Sequence, residues 1–303
     1  KEAIFAYKQV NKPEAKMIFP KELVPEYGIF YQGWKNYLLS KILRADSSIH
    51  LNEDYLANCQ LIAQSFKTTE TPFLASYTNT SWPADALLAI ASLKQHDAIY
   101  SPKYQKLTKD WVSKVKSLVD PNTGLIPHQT DYLKGTTIEG SRGCSISLIL
   151  RLLSEIDAKF AAEQTALYKK QFVFTICGLP AIREYPKGAI GDGDVDSGPV
   201  ILGMGTAATI VGIGTFQANG ETRQAQLLSN TIEAFGFGWK SKESKKYAFG
   251  LLPISDAFIA WSRLANAPLK SEETSFIIPW KFHGWSLLFI GIFSLIFFKR
   301  RRS

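Results

Sequence analysis

Sulfur is scarce in this chain, with three cysteines and two methionines among 303 residues. Cys59, Cys144 and Cys177 form no CxxC pair, and their odd number permits at most one disulfide, which argues against a disulfide-stapled scaffold and against a structural zinc site. Cys59 and Cys144 fall inside apolar helical patterns, where a thiol reads as core packing. Signatures of common chemistries are missing as well. No GK[ST] follows the glycine-rich stretch after residue 200, and no strand pattern precedes it, which excludes a phosphate loop. GxSxG is absent, because Gly140-Ser141-Arg142-Gly143 has the wrong spacing, so a serine hydrolase of that kind has no support. Sustained period-two alternation is also lacking: FLASYT at 73–78 is short, and IIPW at 277–280 is broken by proline. No cofactor motif and no metal-ligand cluster is present, and neither is expected.

Charge of one sign is less lopsided than the total implies. Of the net +8, Lys299, Arg300, Arg301 and Arg302 supply four, leaving a mild excess of four over the rest of the chain. The lysines of 103–116 fall at mixed spacing on a solvated helix face, so no nucleic-acid partner is expected. The same tail holds the strongest single signal. Gly284 to Phe298 reads GWSLLFIGIFSLIFF without a charge, and the four cations follow at once. At about 1.5 Å per residue this run is short of a hydrocarbon core of roughly 30 Å, but with Trp280 to His283 it reaches the usual span of about 20 residues. Lys281 then snorkels to the interface beside Trp280 and Trp285. The expectation is a transmembrane helix over 276–298, a basic cytoplasmic tail at 299–303, and an extracytoplasmic domain over 1–275, attached to the membrane by that helix alone.

With 46% hydrophobic residues and no Pro/Ser-rich linker, residues 1–275 can bury one large core. Apolar residues recur at three and four, predicting helices near 30–45, 53–66, 84–96, 104–119, 144–155, 161–176, 203–217, 222–235 and 254–265. The connections alternate in length: 46–52, 97–103, 156–160 and 218–221 are short, and 67–83, 120–143, 177–202 and 236–253 are long. In an antiparallel array every second connection lies at the same end, so the long ones share a face. Loops longer than about 12–15 residues are usually functional. A repeat of roughly 55 residues, one helix pair with one long loop, closes naturally into an all-α toroid of antiparallel helix pairs. The helix at 203–217, rich in Gly and Ala, fits an inner position, and packing must hold it because each Gly costs about 1 kcal/mol against Ala.

The long loops carry the candidate residues. In SYTNTSWPADALL, Pro83 suits a first helical turn and Asp85 suits the same helix end, where a carboxylate meets unpaired N–H groups; a catalytic role for Asp85 stands beside that structural one. In the second loop Asp120-Pro121-Asn122-Thr123-Gly124 is turn chemistry, which makes Asp120 structural. His128, Glu139 and Arg142 follow, and Glu139 and Arg142 are placed to pair with each other. Of the four histidines only His128 falls at this end. The third loop holds Arg183, Glu184, Asp192, Asp194 and Asp196. A calcium loop starting at Asp192 fails, since its sixth and twelfth positions are Ser197 and Gly203 rather than Gly and Glu. What remains is a carboxylate set suited to acid/base work. Its structural alternative is a loop that caps the next helix with Asp196 or Ser197.

Paired helices with DPNTGL at 120–125 in one long loop, and acidic and aromatic loops at one end, resemble the six-hairpin (α/α) toroid glycosidases, unsaturated-uronide hydrolases among them. The likeness covers residues 20–265. SWPAD at 81–85 and GDVDSGP at 193–199 are similar in style to the barrels of linalool dehydratase/isomerase-type proteins. The first resemblance implies an oligosaccharide substrate whose rings stack on Tyr31, Trp34, Tyr77 and Trp82, with His128, Arg142 and Arg183 binding hydroxyls. It implies that Asp194 or Asp196 pairs with Asp85 or Glu139 as the two carboxylates, about 5–5.5 Å apart for a retaining outcome and about 6.5–9.5 Å for an inverting one. The second implies a lyase or isomerase acting on a hydrophobic substrate through Cys144 or Cys177, Tyr77 and an Asp. A non-catalytic toroid binding an envelope glycan or a protein is the third reading, favoured if the acids lie too far apart or are both paired to arginines.

Overall fold

The computed structural model describes residues 1–265 and 280–302. Residues 276–279 of the expected span, the apolar stretch at 277–279 and Ser303 of the expected tail lie outside the described residues. The chain is mainly helical and packs as two compact units, residues 1–168 and 169–303.

The first unit begins with two short helices, α1 (Glu2–Val10) and α2 (Pro13–Lys16), which strap onto the helices behind them. Tyr7 donates to Asp54 at 2.8 Å, and Tyr31 donates to the Val10 carbonyl at 3.0 Å. Then come α3 (Gly28–Ala45), α4 (Asn52–Thr68), α5 (Pro83–Ile99), α6 (Gln105–Lys116), α7 (Gly143–Ile156) and α8 (Ala158–Phe172), whose last turn crosses into the second unit. Pro83 opens α5, where its missing N–H costs nothing and its fixed φ suits the helix. From Pro83 to His96 every residue of α5 except Lys94 is buried. A helix apolar all round belongs inside its domain. α5 packs against α3 and α7, and each of Leu87, Leu88, Ile90 and Leu93 adds about 1.5–3 kcal/mol by leaving water. Asn36 ties this core together, donating to Ser92 at 2.9 Å and to the Cys59 sulfur at 3.3 Å. Toward the C-terminal ends of α3 and α7, Glu155 accepts from Tyr37, Lys41 and Gln95 at 2.7–2.9 Å.

The long connections of this unit gather at one end, where α3, α5 and α7 start. Ile29 at the head of α3 donates its N–H to Ala75 at 2.9 Å, and Thr130 donates to Ser81 at 3.0 Å. Gly28 is needed at this junction: its φ is +82°, and a Cβ there would stand 2.4 Å from the Ser76 carbonyl oxygen. Within the connection before α7, β1 (Gln129–Thr130) pairs antiparallel with β2 (Thr137–Glu139), with Gln129 opposite Glu139.

In the second unit α8 gives way to a hairpin of β3 (Val173–Ile176) and β4 (Leu179–Ile182), joined at Cys177 and Gly178, both with positive φ. β4 is fully buried, and Thr209 and Thr231 hold it by side-chain bonds to Ile182 and Pro180. A second ribbon, β5 (Val200–Ile201) with β6 (Met204–Gly205), leads into α9 (Thr206–Ala218). α9 is buried from Val211 to Phe216 between α10 (Thr222–Phe235) and α11 (Pro253–Arg263). Its Gly/Ala content permits this close packing. β7 (Trp239–Lys240) and β8 (Lys245–Lys246) form a ribbon before α11. The last helix, α12 (Trp280–Arg302), is long and apolar enough to cross a membrane, and Trp280–Phe297 has no buried residue.

The nine expected helices lie within a few residues of their predicted positions, while α1 and α2 are additional helices that the periodicity does not predict, and two boundaries shift for a clear reason. The helix expected over 161–176 runs from Ala158 to Phe172, because Phe172, Phe174 and Ile176 alternate and the last two belong to β3. The helix expected from 203 starts at Thr206, its first residues being taken by β6.

Candidate active site

The turn at 120–124 sets up the loop end of the first unit. Asp120 accepts from Asn122 N–H at 3.1 Å and from the Thr123 hydroxyl at 2.5 Å, and Gly124, at φ +71°, donates to the Asp120 carbonyl at 2.7 Å. Asp120 is therefore the hub of a turn, as its motif predicts. Gln164 of α8 holds the outgoing strand by bonds to Ile126 N–H and the Gly124 carbonyl. The chain so fixed delivers His128, buried, against α7. Its Nδ1 hydrogen-bonds the Ser145 hydroxyl, and its Nε2 lies 3.7 Å from Glu139 Oε2. Arg142, also buried, places Nη1 3.5 Å from Glu139 Oε1. The Glu139 side chain is 41% exposed. A carboxylate open on one side, backed by a buried guanidinium and an imidazole, is oriented from behind and exposed in front. At 3.5–3.7 Å these two contacts are electrostatic rather than formed hydrogen bonds.

Asp85 lies at the same end. It occupies the first turn of α5, buried, with its N–H bonded to the Trp82 carbonyl at 3.0 Å. The backbone pairings Ser81 to Thr130 and Gln129 to Glu139 carry the start of α5 across to Glu139 in two steps. Beside it the expected aromatic residues form a cluster. Tyr77 stacks on Phe19 at 5.6 Å and meets Trp82 edge-on at 5.6 Å, while Trp34 leans on Phe30 at 6.5 Å. Trp34, Tyr77 and Trp82 are half-buried. Tyr31 is buried beneath Phe19 and Tyr27, and burial pushes its hydroxyl pKa up to about 12.

The expected residues of the second unit sit differently. Asp192, Asp194 and Asp196 are exposed. Asp194 Oδ1 accepts from the N–H groups of Asp196 and Ser197 at 3.0 and 2.8 Å, a local turn in which Asp194 holds the loop. The Ser197 hydroxyl bonds within the loop, and the Ser197 carbonyl, rather than a side chain, receives the Ala207 N–H at the start of α9. Arg183 stacks its guanidinium over Phe174, 4.3 Å from the ring centroid. It lines an open cleft on the β3–β4 hairpin with Lys170 and Lys187.

No protein-family model and no curated protein matches the sequence. Solved structures match it in fold. Two of them are inactive variants of an alpha-1,6-mannanase, GH76A of Salegentibacter sp. HEL1_6, one in complex with alpha-1,6-mannotetrose and the other with alpha-1,6-mannotriose. Each is 13% identical, covers 78% of this chain and 75% of its own, and superposes with a TM-score of 0.48. At that level the likeness concerns the arrangement of helices alone.

Ser145, the partner of His128 in the first turn of α7, is absent from the sequence-predicted set. In the second unit Glu184, counted among the acids of the third loop but given no role of its own, is fully buried just after β4. Its backbone bonds the Gly203 carbonyl at 3.1 Å, and a Cβ on Gly205 would stand 2.5 Å from its carboxylate. A carboxylate with no exposure must be hydrogen-bonded or paired to remain there. Cys59 is buried and Cys144 and Cys177 half-buried, all three as free thiols. Among the described residues no three His, Cys, Asp or Glu side chains converge as metal ligands would.

Proposed function

We propose that this chain is a membrane-anchored carbohydrate-active enzyme that cleaves glycosidic bonds by carboxylate acid/base chemistry, with Glu139 as one of its two acids. The observation that carries the reading is the Glu139 carboxylate, open in front and flanked behind by buried His128 and Arg142. Asp85, at the head of the buried inner helix and joined to Glu139 by the backbone ladder, is the second acid. Asp194 and Asp196 are the alternatives to be tested beside it. Trp34, Tyr77 and Trp82 offer flat faces to sugar rings, and Tyr31 supports them from beneath. The exposed apolar helix α12 is the anchor, and the cations after it place the tail inside and the two units on the extracytoplasmic side.

The deciding experiment presents the detergent-solubilised full chain with neutral and uronate-bearing oligosaccharides, alpha-1,6-mannotetraose among them. Glu139→Gln, Asp85→Asn, Asp194→Asn and Asp196→Asn are assayed in parallel. The expected result is turnover by the wild type and a loss in kcat of about 10²–10⁴-fold in Glu139→Gln with an unchanged melting temperature. Full turnover by both Glu139→Gln and Asp85→Asn would move the chemistry to the other acids. Absence of product throughout would favour a second reading, in which the Arg142 contact to Glu139 marks a glycan-binding surface without catalysis.

A further inference from the structure

The open cleft of about 640 Å³ on the second unit has no part in the proposed sugar chemistry, and its lining is strongly one-signed. Lys170, Arg183 and Lys187 line it, and no Asp or Glu does. Among the described residues none of these three cations is engaged in an ion pair, whereas the adjacent Lys169 is already held by Glu221 at 2.6 Å. Two of the cations are anchored at the backbone, Arg183 N–H to the Phe172 carbonyl and Lys187 N–H to the Gln171 carbonyl, both at 2.8 Å. The Arg183 guanidinium is further fixed flat against Phe174. Three like charges gathered around one cleft repel each other until an anion enters, and a planar guanidinium with two ammonium groups suits phosphate oxygens.

The cleft also has a location. Gly178, at the hairpin tip, lines it and touches the head of α12 so closely that a Cβ would stand 2.8 Å from Lys281 Cβ and from the Phe282 N–H nitrogen. Phe282 packs edge-on against Phe235, which fixes that junction. The start of the apolar helix is where a lipid headgroup layer would lie. The cleft is larger than a lone phosphate needs.

We propose that this cleft binds the phosphodiester headgroup of an anionic membrane lipid, with Lys170, Arg183 and Lys187 as its ligands. The inference rests on the membrane reading of α12. A free phosphate offers the same oxygens, so the test must separate the two sources. Full chain and a Lys170→Gln/Lys187→Gln double variant are purified in neutral detergent doped with phosphatidylglycerol or phosphatidylcholine, and retained lipid is counted by native mass spectrometry. Wild type should retain phosphatidylglycerol in preference to phosphatidylcholine, and the double variant should lose that retention on the order of tenfold. Equal retention in the two proteins overturns the assignment. Saturable binding of inorganic phosphate alone, with no preference between the lipids, overturns the lipid source and assigns the cleft to the free ion. Alkaline carbonate extraction of membranes, run in parallel, reports on the anchor separately: a chain that resists extraction while failing the lipid test refutes the cleft and leaves the anchor standing.

Discussion

Lys35 holds its ammonium against the Tyr31 ring, 5.1 Å from the centroid, on a half-buried position of α3. Burial, with the Lys16 charge adding to it, lowers its pKa to about 8 from an ordinary value of 10.5. The unfolded chain therefore binds the extra proton between pH 8 and 10.5, and stability contributed by this site rises with pH across that window. Tyr31 acts with the opposite sign: its pKa is raised to about 12, so its contribution is lost as pH climbs above 10. Denaturant titrations from pH 7 to 10 should show stability increasing in the wild type and a flatter profile in Lys35→Met. At pH 7 the variant should be more stable, on the order of 2 kcal/mol after allowing for the half-exposed position. A lower melting temperature for Lys35→Met at pH 7 would sink this account. Such residue-level consequences are only partly legible in the sequence. Asp120 and Asp85 declare themselves through local grammar, DPNTG and WPAD, because turn and helix-start chemistry is settled within five residues. Ser145 does not, and neither does the burial of Glu184, since both depend on which elements close over them. The three alternating aspartates are all exposed, and the Asp194 carboxylate accepts the loop's N–H groups, a local geometry that the spacing alone does not reveal.

At the scale of elements, the close approach of α3 to α5 is the feature on which the loop end of the first unit depends. Gly33 makes it possible: a Cβ there would meet the Asp85 carbonyl oxygen at 3.0 Å and the Ala89 nitrogen at 3.3 Å. Gly33→Ala pits two effects against each other. Helix propensity gains up to about 1 kcal/mol, while overpacking costs about 1–3 kcal/mol, and here the atoms in the way are backbone, which cannot rotate aside. The variant should be less stable by about 1–2 kcal/mol in urea melts. Because the pressure falls on the turn that carries Asp85, turnover should drop further than stability does. A stabilised variant would show that the two helices can part freely. Sequence periodicity locates α3 and α5 within a few residues, since an apolar stripe is a local property. It misplaces the end of α8, where helical spacing passes into the alternation of Phe172, Phe174 and Ile176. The hairpin turn there is Cys-Gly, and cysteine rarely occupies a position of positive φ, so the usual Asn-Gly or Asp-Gly signal is missing.

For the whole molecule, α12 poses the question of what covers it. Leu287, Phe293 and Leu295 are each more than two thirds exposed, and leaving such side chains in water forgoes about 1.5–3 kcal/mol apiece. That sum exceeds any stability a lone helix has by itself, so an isolated α12 in water would associate or be covered. In the proposed membrane reading a bilayer would cover the full Trp280–Phe297 length, and the four cations that follow would set the side. The expected outcome is that a peptide tag fused after Ser303 stays protected from protease added to intact cells and becomes cleavable once the membrane is opened, while a tag before Lys1 is cleaved from the start. Removing residues 280–303 should release the remainder into the soluble fraction. Protection of the N-terminal tag with cleavage of the C-terminal one would reverse the orientation, and with it the claim that the Glu139 site meets extracytoplasmic glycans. A truncated chain that still sediments with membranes would mean that some other surface, the basic cleft of the second unit first among them, holds the protein there as well.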